Sequence, residues 1–373
     1  MSGMIPLLLL FLWQPSSTRA RPGGRDPFTT TTYTTTYPPC TLALFPLPSH
    51  VECGAASATS ILSPTFSIRF SNTSKSSISE TLQLALNRTL DHLFTLPHVV
   101  KRGTQAEPGI TPHTTPRADA PTTVTALILT VDEEDVGADK QLSTDESYTL
   151  SVARVPATNT VVASLRATNI YGAIYGLSTF TNLFLLDPTL NSSPVVMGLP
   201  ITIADQPRFS WRGVLLDTAN HYFPMSDIYR TLGAMFSNKF NVLHLHLVDS
   251  YSFPYASAIR PKLAQGAWTS TDIYTVKDIE ALKAYAMVHY GIIVVVEMDM
   301  PGHAYSWGIG YPETVADCPG YGDALDIGHI NAVPFDPSKK TTYDIVTDVL
   351  NEVIGIMGEL CGGCEMLNGV KWC

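Results

Sequence analysis

From residue 207 onward, short apolar strands alternate with amphipathic helices. This order predicts an α/β protein built as a (β/α)8 TIM-type barrel, about the first half of which is present, preceded by a small α+β domain. Three observations predict it. Strand–helix alternation begins after Gln206-Pro207-Arg208 and implies parallel strands joined by helical crossovers. Polar and charged residues cluster just after those strands, where α/β folds place their sites. Residues 41–206 have a different pattern, with strands, two helices and few polar clusters.

The first 20 residues carry an apolar run, Leu7 to Trp13, too short to span a bilayer. Thr18-Arg19-Ala20 follows, with small residues where a signal peptidase cuts, so residues 1–20 read as a secretory signal; an uncleaved anchor is the alternative. Residues 21–40 are a Thr-rich lead-in without periodicity. Cys40 and Cys53 bracket Phe45-Pro46-Leu47-Pro48 and are read as a local disulfide.

Between 41 and 206, apolar residues from Ile78 to Leu93 recur at helical spacing. Lys101 to Thr123 is rich in Pro and Thr and reads as a loop. Ala126–Val131, Ser147–Val152 and Val161–Ala167 read as strands, and Ile170–Leu185 as a helix with Gly172, Ala173 and Gly176 as close-packing points. In 207–373 the expected strands are Gly213–Asp217, Asn241–Val248 and Ile292–Val296. Helices are expected from near Ser226, from Thr275 with a Thr275-Val276-Lys277-Asp278 capping box, and from about Thr342.

The whole chain has 373 residues, is 45% hydrophobic and carries a net charge of -10. That balance excludes nucleic acid as the expected partner and suits a neutral or cationic small ligand such as a sugar. Six Cys and sequons at Asn72, Asn87 and Asn191 fit the secretory pathway, with a lysosomal, vacuolar or extracellular destination and no membrane insertion after signal cleavage.

Four clusters carry ionisable groups. Arg212 with Asp217 reads either as a fork gripping hydroxyls or as an ion pair pinning the barrel entrance. In His244-Leu245-His246-Leu247-Val248-Asp249, alternation puts both His on one face and Asp249 at the strand end. In Glu297-Met298-Asp299-Met300-Pro301-Gly302-His303, Glu297 and Asp299 share a face and the Pro-Gly turn lets His303 face back. Near the end, Gly362-Gly363-Cys364-Glu365 makes a tight turn presenting Glu365 as a possible general acid. So many ionisable groups after apolar strands indicate an active-site floor, because buried charges must pair. A zinc-dependent barrel hydrolase would use the His-x-His and later acids as ligands. Carbohydrate hydrolysis would use the same carboxyls and imidazoles around a sugar. Tyr251, Phe253, Tyr255, Trp268 and Trp307 favour the sugar, although most of them sit at core positions.

Arg212 to Thr218, Asn238 to Asp249, Ser252-Phe253-Pro254, and Glu297 to Ala304 with Ser306-Trp307 closely resemble the β-N-acetylhexosaminidases of glycoside hydrolase family 20. Pro46-Leu47-Pro48, Glu146 to Leu150 and Gly172 to Leu177 are similar to that family's small α/β domain. The resemblance runs from about Leu44 to Cys364. It implies a (β/α)8 barrel, without cofactor or metal, that removes terminal N-acetylglucosamine or N-acetylgalactosamine from glycans. The implied mechanism is retaining and substrate-assisted: the 2-acetamido oxygen attacks the anomeric carbon to give an oxazolinium. An Asp–Glu pair after Gly-Gly orients the acetamido group and supplies the acid/base.

By that resemblance Glu365 is the general acid/base, Arg212 grips the hydroxyls, and Asp249, Glu297 and His303 support the site. Cys364 stands at the Asp position. A thiol, with a pKa of about 8.5, is largely neutral in an acidic compartment and replaces a carboxylate poorly. The resemblance also implies a bridge from Cys318, for which Cys373 is available, barrel strands beyond those in this chain, and a homodimer for a complete barrel. Half a barrel leaves open strand edges. The alternative is a catalytically impaired pseudoenzyme or glycan-binding fragment.

Overall fold

The computed structural model describes residues 42, 44–55, 58–71, 78–95, 122–132, 140–187, 193–317, 333–358, 366–367 and 370–371. The N-terminal region contains β1 (His50–Cys53), β2 (Thr59–Phe70), α1 (Glu80–Phe94), β3 (Thr122–Val131), β4 (Tyr148–Val155), β5 (Thr160–Ala167), α2 (Ile170–Asn182), β6 (Leu185–Asp187), β7 (Ser193–Met197) and β8 (Ile201–Asp205). Its eight-stranded sheet has the order β1-β8-β4-β5-β3-β2-β7-β6. The strands pair in parallel at β2/β3 and β3/β5 and antiparallel elsewhere.

Ser79 caps α1 by accepting from the Leu82 amide, and α1 buries Leu82, Ala85, Leu86, Thr89 and Leu93. Asn87 lies on its exposed side; the other two sequons lie outside the described residues. Helix α2 is buried along most of its length. Gly172 has no room for a Cβ beside the Ser147 carbonyl, as the close-packing expectation requires. Cys53 is disulfide-bonded; Cys40, its expected partner, lies outside the described residues.

The second region contains β9 (Gly213–Asp217), α3 (Met225–Ser237), β10 (Val242–Val248), β11 (Tyr255–Ala256), β12 (Tyr274–Thr275), α4 (Val276–Tyr290), β13 (Ile293–Met298), α5 (Tyr305–Gly310) and α6 (Lys340–Met357). Strands β9, β10 and β13 form a parallel sheet in the order β13-β10-β9, with His244 in register between Leu215 and Val295. This β/α order is a partial (β/α) barrel. Leu243, Leu245 and Leu247 of β10 join Ile228 and Leu232 of α3 and Ile279 and Leu282 of α4 in one buried cluster. Leu215 is 54% exposed on β9. The expected capping box is present: Asp278 N donates to Thr275 Oγ1 at 3.2 Å and Thr275 N to Asp278 Oδ2 at 2.8 Å.

The N-terminal region meets the amino ends of all three barrel strands. Glu146, just before β4, accepts from Lys140 Nζ and from Arg212 Nη2 (2.5 Å), the residue before β9. Lys140 Nζ also donates to the Gly291 carbonyl, 2.8 Å away, two residues before β13. Gly291 closes α4 with φ 62, and a Cβ there would strike Tyr171 of α2; it needs glycine for both reasons. Ahead of β10, Lys239 Nζ donates to Asp205 Oδ2 (2.7 Å) and Tyr148 Oη (2.9 Å). Lys239 holds φ 57, a conformation costing a side chain about 1–2 kcal/mol, so its charge pairing outweighs the backbone preference. Further along, the Arg88 guanidinium of α1 lies over Phe236 and Tyr290 at 4.9 and 5.0 Å, a cation–π clamp between α1 and the barrel helices.

Burial pushes the Lys140 amine down to about 8 even though Glu146 opposes the shift. Removing the Glu146 charge strands the buried Lys140 and takes the carboxylate partner from the part-buried Arg212. Glu146→Gln is therefore expected to cost about 3–5 kcal/mol in urea unfolding; a loss below about 1 kcal/mol would show that the cluster does not hold the junction.

Candidate functional site

At the carboxyl ends of the barrel strands His246, Asp249, Glu297, Asp299 and His303 converge, with His244 one step below them on β10. Alternation along β10 puts His244 and His246 on one face, and both reach the β13 residue Glu297. His244 Nε2 lies 2.7 Å and His246 Nδ1 2.9 Å from the same Glu297 Oε2. His246 Nε2 lies 3.0 Å from Asp249 Oδ2. Asp249 is held by its neighbours: the Ser250 amide donates to its Oδ1 at 2.5 Å, and Ser306 Oγ of α5 donates to its carbonyl at 2.6 Å. Beyond β13, His303 Nδ1 donates to Asp299 Oδ2 at 2.6 Å and lies 3.7 Å from Asp249 Oδ1.

His303 adopts φ 52, the left-handed region that side chains avoid. The turn at Pro301-Gly302 thus aims the ring back at the strand ends, as the sequence suggests, but places the strain on His303. His246 is raised above its ordinary pKa. Burial opposes the charge, and the hydrogen bonds to Glu297 and Asp249, with the charges of Glu297 and Asp217, outweigh it.

At the end of β9, Asp217 accepts from the backbone amides of Ala219 (3.1 Å) and Asn220 (2.9 Å) and from Asn220 Nδ2 (2.6 Å). Asn220 was not selected from the sequence, because nothing in its local pattern separates it from an ordinary turn residue, whereas Asp299 lies with Glu297 and His303 as their shared cluster suggests. The aromatic residues divide. Phe253, Tyr255 and Trp307 are fully buried core side chains, whereas Trp268 is 52% exposed, donates through Nε1 to the Ala219 carbonyl (2.9 Å) and stacks with Tyr251.

Arg212 requires a correction. It precedes β9, at the opposite end of the sheet from Asp249 and His303, and the strand's five residues separate the two ends by about 16 Å. Its guanidinium donates to Glu146, to the Lys239 carbonyl (2.7 Å) and to the Phe209 carbonyl (2.8 Å). It is neither a sugar-gripping fork at the site nor the partner of Asp217. Cys364 and Glu365 lie outside the described residues. His246, Asp249 and Asp299 bring one donor atom each within 4.8 Å of one another, the grouping that the zinc reading needs. Each is already joined to an imidazole or carboxylate, so the cluster closes as an ion-pair network.

Fold and site together define a (β/α)-barrel protein with an imidazole–carboxylate floor at the carboxyl ends of its strands. The family model "Glycosyl hydrolase family 20, catalytic domain" matches residues 209–362, and "beta-acetyl hexosaminidase like" matches residues 44–183. The chain belongs to glycoside hydrolase family 20. The catalytic-domain match ends before Cys364 and Glu365. Beta-hexosaminidase subunit A1 of Dictyostelium discoideum is 38% identical over 232 residues, 61% of this chain and 41% of the relative. Beta-hexosaminidase subunit beta of Homo sapiens is 39% identical over 240 residues, 63% of this chain and 40% of the relative. The chain thus spans about two fifths of the length of these relatives. Among solved structures, Flavobacterium johnsoniae chitobiase matches with TM-score 0.62 and 27% identity over 85% of this chain and 43% of its own. Streptomyces plicatus N-acetyl-beta-hexosaminidase shares the fold, with TM-score 0.59 and 23% identity over 86% of this chain and 58% of its own.

Replacing His303 separates backbone strain from ring contacts. His303→Ala and His303→Gly both lose the Asp299 bond, but only glycine relieves the φ. The glycine variant is expected to be more stable than the alanine variant by about 1 kcal/mol in urea unfolding; equal stabilities would mean that the turn is not held left-handed.

Proposed function

We propose that this chain carries the site of a β-N-acetylhexosaminidase acting on glycans that end in N-acetylglucosamine or N-acetylgalactosamine. The convergence of Asp249, Glu297 and His303 at the strand ends of a family 20 barrel supports this reading most strongly. Under it, the substrate's 2-acetamido oxygen attacks the anomeric carbon. Glu365 protonates the departing oxygen and then activates water for the oxazolinium. Asp249 and His303 hold the acid in place, and Glu297 supports them through His246. Arg212 belongs to the domain junction and has no part in sugar binding.

Residue 364 favours a second reading, a glycan-binding chain without turnover. A thiol lacks the charge that would steady a positively charged oxazolinium. The secretory signal at residues 1–20, the lead-in at 21–40 and the boundary near 206/207 belong to the proposal, as does a lysosomal or extracellular destination. Among the described residues no helix is long and apolar enough to cross a membrane.

Hydrolysis of a chromogenic N-acetylglucosaminide separates the two readings. As a hydrolase, the chain loses turnover on Glu365→Gln by about 100-fold or more and gains it on Cys364→Asp. Saturable N-acetylglucosamine binding, with no turnover in the parent chain or in Cys364→Asp, would establish the binding reading instead.

A further inference from the structure

His246 has a carboxylate oxygen on each ring nitrogen: Glu297 Oε2 at 2.9 Å from Nδ1 and Asp249 Oδ2 at 3.0 Å from Nε2. A neutral imidazole has a single N–H, and its other nitrogen presents a lone pair. A lone pair aimed at a carboxylate oxygen is repulsive, so both contacts are satisfied only when both nitrogens carry protons. The same Glu297 oxygen also receives His244 Nε2 at 2.7 Å. Carboxylates and imidazoles therefore alternate from His244 through Glu297 and His246 to Asp249, reaching from the middle of β10 to the strand end.

We propose that His246 is an imidazolium at neutral pH, clamped between Glu297 and Asp249, and that Glu297 and His244 are positioning residues that keep the Asp249 carboxylate aimed. The importance of Asp249 rests on the functional reading above; the protonation of His246 does not.

The surroundings agree with the geometry. Asp217 is in register with His246 on β9, Glu297 faces it from β13, and Asp249 and Asp299 approach it from the segments after β10 and β13. On its own strand the nearest ionisable neighbour is His244, and His303 stands behind Asp249. Four carboxylates thus face one buried ring, and among the described residues no lysine or arginine forms an ion pair with them. Because the folded value is raised, the stabilisation from a charged His246 is fully present below the ordinary histidine pKa of about 6.5 and is lost as pH rises through the folded value. An acidic compartment lies on the stable side.

Nitrogen-15 NMR of the imidazole side chains tests this in the full chain, with the His246 signal assigned by its loss in His246→Gln. The parent chain is expected to show both His246 nitrogens protonated at and above neutral pH. Glu297→Gln is expected to lower the proton affinity of His246 by about tenfold or more. His244→Gln keeps a donor to Glu297 and is expected to have a smaller effect. A parent His246 with one unprotonated nitrogen at neutral pH overturns the proposal without any variant having to fold, as does an unshifted titration in folded Glu297→Gln. Sugar hydrolysis is scored separately: its absence alongside an imidazolium His246 counts against the functional reading and supports the protonation assignment.

Discussion

The entries to two of the three barrel strands, β9 and β13, are positioned from one carboxylate, Glu146. It is 5% exposed and accepts from Lys140 on its own side of the junction and from Arg212 on the other. A buried carboxylate is costly unless its lone pairs are filled, and here two cations fill them. Lys140 extends the contact to the carbonyl of Gly291, so one acid ties down the entries to β9 and β13. Lys239 with Asp205 and Tyr148 does the same for β10. Such ion clusters contribute less to net stability than apolar packing would, but breaking one is severe. They specify register: each strand begins where its charge partner waits.

Fixing the amino ends leaves the carboxyl ends free to carry chemistry. A parallel sheet starts all its strands on one side, so the side chains after β9, β10 and β13 gather on the other. Asp217, Asp249, Glu297 and His303 occupy that side. The left-handed φ of His303 and the two-sided clamp on His246 both sit there, consistent with strain and perturbed protonation concentrating at functional sites.

The sequence was most legible where the signal is local. The Thr275–Asp278 capping box, the β9 limits and the period of α4 can be read from a few adjacent residues, and the structure places them as expected. The His244–His246 alternation also carried over, since a strand's period fixes which face each side chain takes. Strands β1, β2, β7 and β8 went unrecognised. Their pairing is long-range, from β1 to β8 and from β2 to β7, and half of β2's face is only partly buried, which blurs the alternation. Arg212 was misread for a related reason. A motif shows that an arginine adjoins a strand, but the partner that defines its role, Glu146, is 66 residues away. The φ of His303 has no sequence signal, because the glycine that would announce such a turn stands one residue earlier.

The N-terminal region is therefore the anchor of the barrel strands, not an appendage to them. Native-state hydrogen exchange measures this directly. If the junction holds, the amides of β9, β10 and β13 open with the same free energy and denaturant dependence as those of β3, β4 and β5. Independent opening of the three barrel strands at lower free energy, with the eight-stranded sheet still protected, would contradict it.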